Sequence, residues 1–527
     1  MGTSDLLLRL MKALNHCQLL KADSSIGGYS ALEIEPMHWQ TVAQMIQQDQ
    51  GRFAGLWAEE LEDVFFVTVC FCIEKHYLLM RTSLNKKIPL KLSSLSCLYL
   101  AANRFERHTH DLFGIEFIDT DDSRRWTRHQ AWQANQFPLR KDFPAAGYGT
   151  GKTPADKTYP FLQATGEGVC EVPVGPIHAG IIEPGHFRFQ IAGEEVLYLE
   201  ERLGYVHKGI EKIAEGKDIH HLINLAAHVS GDCTLSYAGS TCMAVENALQ
   251  ITVPDRALFI RAILAERERI ANHLWDVAAI CNDVGFAFAY YQFGRLRELW
   301  LRTNAYLFGH RLLMNCLSVG GVQKDYLSAT AIDLLQHELV PLEKEVGELT
   351  HILDTNASLQ NRLRTTGVLS HETAQAVGAL GYVSKASGID FDVRRDAPYA
   401  PYHQCEVSSP VLSDGDVAAR LSIRLKEIKS ALTLIKDLLN TLPSGPYQTT
   451  WTPPPYPTAG IGIVESWRGE LLTYVSLDAT GKVSRYFPRD PSWFNWLALE
   501  RLIYRDIVPD FPVCNKSING SYSGCDL

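Results

Sequence analysis

Residues Pro254–Leu274 read PDRALFIRAILAERERIANHL. Ile260, Ile263, Leu264, Ile270 and Leu274, continued by Val277, recur at helical spacing, so the stretch predicts a long helix with one apolar face. Glu266, Glu268 and Arg269 inside it are expected to be structural ion-pair partners. A second long helix is predicted from Asp416 to just before Pro443 and Gly445, with Leu421, Leu425, Ile428, Leu432, Ile435 and Leu439 on one side. Antiparallel packing in a bundle is the natural way to bury two such faces.

Toward the N-terminus the period changes. Residues 171–200 hold two short strand-like segments around a Gly/Pro loop. Pro144–Gly168 collects Pro, Gly, Ala and Thr and reads as a linker. Before it, Pro36–Gln48 is a short helical stretch, and Val64–Ile73 and Tyr77–Leu84 are strands joined by a tight turn at Glu74–His76. The expected fold class is α+β: a small α/β domain (1–145), a linker (146–170) and a large, mainly helical domain with a small sheet (171–527). Arg485–Trp496 is a late segment rich in Pro and aromatics.

The 527 residues are 46% hydrophobic and 21% charged, an ordinary globular composition that excludes disordered and collagen-like classes. Lys plus Arg is 50 against 60 for Asp plus Glu, a net charge of −10, so no basic excess exists to neutralise nucleic-acid phosphates. No window reaches the ~18 apolar residues of a membrane span. Leu7, Leu10, Met11 and Leu14 read as a short amphipathic helix rather than a secretory leader. The 12 cysteines are scattered, which fits reduced thiols; Cys70 and Cys72, in an apolar strand, read as buried and inert. Ala146–Thr153 (AGYGTGKT) is one residue from a phosphate-binding loop. Its flanks, Arg140-Lys141-Asp142 and Pro144 before and Pro154 after, lack the strand and helix that such a loop needs.

Two stretches carry a specific likeness. FERHTHDLFGIEF (Phe105–Phe117) followed by PLRKDFP (Pro138–Pro144) resembles the small peripheral-arm subunit of NADH:quinone oxidoreductase (complex I). GPIHAGIIEPGHFRF (Gly175–Phe189), then ERLGYVHKGIEKIAEG (Glu201–Gly216), resembles the adjacent large subunit. It is still more similar to the large subunit of formate-hydrogenlyase-type nickel–iron hydrogenases, in which the two are fused in this order. Pro254–Leu274, Gly320-Gly321-Val322, Asp396-Ala397-Pro398-Tyr399 and Leu442-Pro443-Ser444-Gly445-Pro446 continue the match. The likeness implies a large domain of the nickel–iron hydrogenase large-subunit type.

The resemblance also supplies a metal test. The family holds nickel and iron with two C-x-x-C pairs, because soft thiolates suit that centre. Where the early pair is expected, this chain has His228-Val229-Ser230-Gly231-Asp232-Cys233, with Ser230 at the first position and Cys233 at the second. Where the late pair is expected it has Asn519-Gly520-Ser521-Tyr522-Ser523-Gly524, so Ser521 and Gly524 stand at both thiol positions and Cys525 is one residue late. The expectation is a pocket without metal. In the family's P-R-G segment, Glu465-Ser466-Trp467-Arg468-Gly469 puts Trp467 at the Pro, a side chain large enough to fill space.

In complex I the same cavity holds a quinone headgroup, hydrogen-bonded by a loop His and a Tyr. The resemblance makes His186 the nearest match to that His and His178 the earlier loop His. The Tyr position falls near Ile219 or His220, so Tyr is absent there, and His220 is a substitute able to donate a hydrogen bond or proton. His207 and Glu211, four apart, are expected to be a solvated or interface pair. The implied function is a subunit of a membrane-associated, energy-converting-hydrogenase-related redox complex. It passes electrons from a neighbouring iron–sulfur subunit to a quinone or other small acceptor and couples this to ion translocation. The chain has no cluster-binding cysteine set of its own. The implied partners are the iron–sulfur small subunit and membrane ion-translocating subunits, with the chain peripheral on the cytoplasmic face of the inner membrane. A non-catalytic scaffold is the alternative; an active hydrogenase ranks last.

Overall fold

The computed structural model describes residues 19–129, 132–148, 159–179, 182–453 and 455–527. The amphipathic segment Leu7–Leu14 and residues 149–153 of the AGYGTGKT stretch lie outside them.

The first sheet contains β1 (Leu19–Ile26), β2 (Tyr29–Ile34), β3 (Arg52–Leu61), β4 (Val64–Ile73) and β5 (His76–Asn85) in the order β1-β2-β5-β4-β3. The β4–β5 hairpin runs in unbroken register from Val64↔Asn85 to Ile73↔His76. β4 is almost entirely β-branched, aromatic or Cys, which suits a strand buried on both faces. Its turn places Glu74 and Lys75 at positive φ, the backbone that a two-residue hairpin turn demands. Cys70 and Cys72 are buried there, and burial pushes both thiols up. The helix Trp39–Gln48 and the helix Ala102–Phe113 accompany this sheet, with the small parallel pair β6 (Lys91–Ser93) and β7 (Glu116–Ile118).

Residues 169–202 form three strands where two were expected: β8 (Val169–Val174), β9 (His186–Ala192) and β10 (Glu195–Arg202), in the order β10-β9-β8. The long helices follow: Thr234–Leu249, Asp255–Asp283, Ala287–Phe308, Ala329–Thr355 and Val417–Asn440, with a short β11–β12 ladder (Leu317–Ser318, Gly321–Val322) between the third and fourth. Asp416 caps the last by accepting the Ala419 amide at 2.8 Å, at the start read from sequence. The Asp255–Asp283 helix packs on both Val417–Asn440 and Ala287–Phe308. It is buried nearly all round, so its charged residues go inside with partners. Arg394 brackets Glu266 at 2.9 Å and Arg424 meets Asp276 at 2.9 Å. Glu268 departs from the ion-pair expectation. Its carboxylate takes the Leu235 amide at 2.7 Å, the Ser236 amide at 3.2 Å and the Ser236 hydroxyl at 2.6 Å. Burial without a cation raises it to about 7.

The final antiparallel sheet, β13 (Thr458–Ser466), β14 (Gly469–Leu477) and β15 (Val483–Arg489), is the hub. The Thr234–Leu249 helix lies so close to β13 that a Cβ on Gly462 would sit 1.9 Å from the Ser240 carbonyl oxygen. On its other side the hub meets the first sheet. The Trp57 ring lies 5.1 Å from Tyr474 and stacks on Phe487 at 5.8 Å, while Arg485 and Arg489 donate to the Ala58 and Ala54 carbonyls at 2.8 and 2.9 Å. Buried Glu470 gathers Arg52, Arg489 and the Tyr77 hydroxyl. One hydrophobic core therefore runs through both halves. After the linker, Tyr159 is buried, with Arg107 on its hydroxyl at 2.8 Å and the Arg202 guanidinium over its ring at 3.7 Å.

Candidate functional site

Two chain segments far apart in sequence meet at Ser230 and Ser521. The first is the turn entering the Thr234–Leu249 helix; the second opens the short helix Tyr522–Asp526. Ser521 caps that helix, its Oγ accepting the Gly524 amide at 2.9 Å. The same hydroxyl lies 2.9 Å from Ser230 Oγ, which donates to Asp232 Oδ1 at 2.7 Å. Arg468 closes the cluster with a two-pronged pair to Asp232, at 3.0 and 2.5 Å, and donates from Nε to the Asn519 carbonyl at 2.8 Å. Burial works to raise the Asp232 carboxyl, but Arg468 and Ser230 outweigh it and hold it below the usual carboxylate range. The Asp232 side chain remains 38% exposed, so the cluster forms a wall that opens outward.

Trp467 backs this wall. It is buried, its Nε1 donates to the Asp232 carbonyl at 2.8 Å, and it carries the Arg468 guanidinium 4.0 Å over its ring. Asn272 donates to the same carbonyl at 2.7 Å. The indole expected to fill space does so here, between Tyr382 and His273.

Where the resemblance expects four soft thiolates for nickel and iron, the residues present are the hydroxyls of Ser230 and Ser521, the buried thiol of Cys233 and the bare backbone of Gly524, a set that does not match those four donors. Ser230 and Ser521 are committed to each other. Cys233 is fully buried, and desolvation, with Glu268 and Asp490 nearby, pushes its thiol well above the usual range. At Gly524 a Cβ would meet the Tyr237 hydroxyl at 2.7 Å and Asp490 Oδ2 at 2.9 Å. Those two groups are themselves bonded at 2.8 Å and fill the place of a side chain. Cys525 is buried among Asp490, Asp526, Arg104 and Glu201, and its thiol is likewise raised, chiefly by burial.

The three candidate histidines occupy different settings. His178, half-buried in the Gly175–Gly185 loop, turns Nδ1 to the Pro176 carbonyl at 3.2 Å. Its Nε2 lies 3.4 Å from the Tyr522 hydroxyl, one residue from Ser521. His186 opens β9 with Nδ1 3.3 Å from the Gly175 carbonyl and Nε2 accepting from Arg188 Nε at 3.4 Å. Burial lowers its pKa. His220 is exposed on the helix Ile219–Ala226, 3.4 Å from the Asn224 amide. Asp232, Arg468 and Tyr522 stand inside the sequence motifs, yet reasoning from sequence gives them no role. The available signal is that each sits within two residues of a position where the resemblance expects a different residue.

A second polar cluster joins the two halves. Glu211 is buried, 2.9 Å from His108 Nε2 on the Ala102–Phe113 helix and 2.6 Å from Arg485 on β15. His207 turns Nδ1 to the Asp526 carbonyl at 2.6 Å. His207 and Glu211 line one cavity of about 340 Å³. Glu211 is thus a buried ion-pair partner between the Ala102–Phe113 helix and β15, which departs from the solvated arm of the solvated-or-interface expectation.

Comparison with known proteins agrees along the chain. Residues 32–149 match the family "Respiratory-chain NADH dehydrogenase, 30 Kd subunit", and residues 283–458 match "Respiratory-chain NADH dehydrogenase, 49 Kd subunit". Residues 208–276 match "Nickel-dependent hydrogenase". The chain is 32% identical to formate hydrogenlyase subunit 5 of Escherichia coli, over 80% of this chain and 74% of that one. It is 33% identical to the carbon monoxide-induced hydrogenase of Rhodospirillum rubrum, over 66% and 96%. It is 30% identical to the C/D polypeptide of NADH-quinone oxidoreductase from Phocaeicola vulgatus, over 74% and 78%. Among solved structures, a chain of the membrane-bound sulfane sulfur reductase, an archaeal respiratory membrane complex, superposes with a TM-score of 0.64 at 25% identity, covering 69% of this chain and all of that one. Among the described residues no helix is long and apolar enough to cross a membrane. With both modules present in one polypeptide and relatives above 30% identity covered over most of their length, the chain belongs to the complex I-like family of fused 30 Kd-type and 49 Kd-type subunits that includes formate hydrogenlyase and hydrogenase-4 subunits and the NADH-quinone oxidoreductase C/D fusions.

Proposed function

We propose that this chain is the acceptor-site subunit of a membrane-associated redox complex. It passes electrons from a neighbouring iron–sulfur subunit to a quinone or other small acceptor, coupled to ion movement in membrane subunits, without a nickel–iron centre. In this reading residues 1–145 are the peripheral-arm module, 146–170 the connector and 171–527 the large-subunit module, on the cytoplasmic face of the membrane. The observation that carries it is the 2.9 Å contact between Ser230 and Ser521 hydroxyls at two positions where the resemblance expects thiolates. What replaces metal chemistry is hydrogen bonding. Asp232, Ser230 and Ser521 make a polar wall, and the Tyr522 hydroxyl with His178 forms a Tyr–His pair beside it. Burial pushes the Tyr522 phenol above its usual range, so it stays protonated and able to donate. A reduced acceptor oxygen needs such donors, and the His178 imidazole beside the Tyr522 hydroxyl is a second group that can hydrogen-bond to it. His186 orders the loop that carries His178 through the Gly175 carbonyl; exposed His220 is assigned to contact with a partner subunit.

The test is acceptor reduction by the assembled complex. His178→Ala should lower turnover at least ~10-fold, within the range of lost general acid–base catalysis. Tyr522→Phe should lower it several-fold, the scale of one hydrogen bond. Assembly should be unchanged in both. If both variants assemble and turn over at the wild-type rate, this wall is not the acceptor site and the scaffold alternative gains.

A further inference from the structure

Behind the Trp467 wall lies a buried charge cluster that the proposed function does not use. Lys385 Nζ is 2.7 Å from Asp392, 2.8 Å from Glu427 and 3.9 Å from Glu465. Arg394 pairs with Asp392 at 2.7 Å and Glu266 at 2.9 Å, and Arg269 reaches Glu266 at 3.2 Å and Glu427 at 3.5 Å. All seven side chains are at most 2% exposed. The cations are Lys385, Arg269 and Arg394; the carboxylates are Glu266, Asp392, Glu427 and Glu465. The carboxylates outnumber the cations by one, and a net buried charge is costly unless a proton neutralises it.

The geometry selects the carboxyl that carries the proton. Glu266, Asp392 and Glu427 each have a cation within 3.0 Å. Among the described residues the Glu465 carboxylate meets the Val393 amide, at 3.1 Å on Oε2, and the more distant Lys385. Burial and the Asp392 charge both raise it. Tyr399 and Tyr402 face the cluster as neutral phenols, Tyr402 bonded to Glu266 at 2.7 Å. Of these four acidic residues, Glu465 is also the one that lines a cavity of about 390 Å³, walled mainly by apolar residues such as Met243, Leu258 and Ala265, whose other charged lining is Asp255 and the Glu246–Arg261 pair at 2.6 Å. At the inner end, Glu427 bonds His273 Nε2 at 2.7 Å. His273 is fully buried, lies against Trp467, and has no hydrogen-bond partner on Nδ1 among the described residues.

We propose that Glu465 is a proton-loading site, filled and emptied through this cavity, whose proton sets the charge of the cluster behind the acceptor wall. Loading transfers one proton from cavity water to the Glu465 carboxylate, and the cluster passes from net −1 to neutral. Unloading is the reverse, so no electron or further reactant is involved. Lys385 and Glu427 carry the change in field to His273 and Trp467. Only its use in turnover rests on the proposed function; the loading itself does not.

The experiment is infrared difference spectroscopy of the assembled complex at neutral pH, with no electron donor added. Wild type should show a protonated-carboxyl C=O component that is missing from Glu465→Gln. Lys385→Met, which removes a cation, should gain a further protonated-carboxyl component. On transfer to D₂O the Glu465 component should shift at once. Gly239 faces the cavity, where a Cβ would meet only Leu317, at 3.6 Å. Gly239→Leu should therefore plug the cavity and slow that shift at least tenfold. Because Gln mimics the neutral acid, Glu465→Gln should assemble and melt like wild type. A Glu465→Gln spectrum superimposable on wild type would overturn the proposal, as would exchange unaffected by Gly239→Leu. Neither result depends on whether His178 serves an acceptor.

Discussion

At position 524 the absence of a side chain is what allows the Tyr237–Asp490 bond to close over the space. Gly524→Ala would push a methyl into contacts of 2.7–2.9 Å, and overpacking of this kind costs about 1–3 kcal/mol. The expected outcome is a lower midpoint of denaturant unfolding with an unchanged slope; an unchanged midpoint would mean that the pocket relaxes freely. The residue scale is also where sequence reading reached least far. Ser230, Ser521, Gly524 and Trp467 could be singled out, because they sit inside motifs whose family pattern is known, and the structure brings Ser230 and Ser521 together and buries Trp467. The Arg468–Asp232 pair and the Tyr522–His178 pair were not. Each joins segments more than two hundred residues apart, and no local period encodes such a meeting.

Among elements, the long helices and the β4–β5 hairpin were readable because a 3.6-residue or near-continuous apolar pattern marks them directly. The third strand of the middle sheet was missed. β10 starts at Glu195, is apolar only in its middle and ends in Glu200, Glu201 and Arg202, charged residues that suggest surface. They are buried because Arg124 and Arg104 pair with Glu200 and Glu201. The same logic hid the role of Glu211. Burial alone would raise its carboxyl, but Arg485 and His108 bring it down to about 2. Its folded pKa therefore lies below the unfolded value of ~4.3. The stabilisation is complete above that value and is lost as pH falls from about 4.5 toward 2. A displacement of roughly two units corresponds to about 3 kcal/mol. Glu211→Gln should lose stability at neutral pH and show a flatter decline in acid than wild type, measured by denaturant midpoints across that window. Parallel pH curves for the two proteins would contradict the assignment.

For the whole molecule, the shared core between the first sheet and the β13–β15 hub implies that the two modules are one cooperative unit. Calorimetry should show one unfolding transition in the described halves together, and Trp57→Ala should lower it as a whole by about 3–5 kcal/mol; two separate peaks, with only the first displaced, would contradict that. The mixture of helix and sheet and the fusion of two modules were visible from ordered motifs along the chain, whereas the continuity of the core was not, since the Pro/Gly-rich linker reads as a boundary. The central claim is that a hydrogenase-type large subunit here presents a hydrogen-bonded wall in place of a nickel–iron centre. Elemental analysis of the intact complex, purified from cells grown with ample nickel, tests it most directly. The account predicts nickel far below one per chain; nickel near one per chain, lost together with activity in Ser230→Ala and Ser521→Ala, would contradict it.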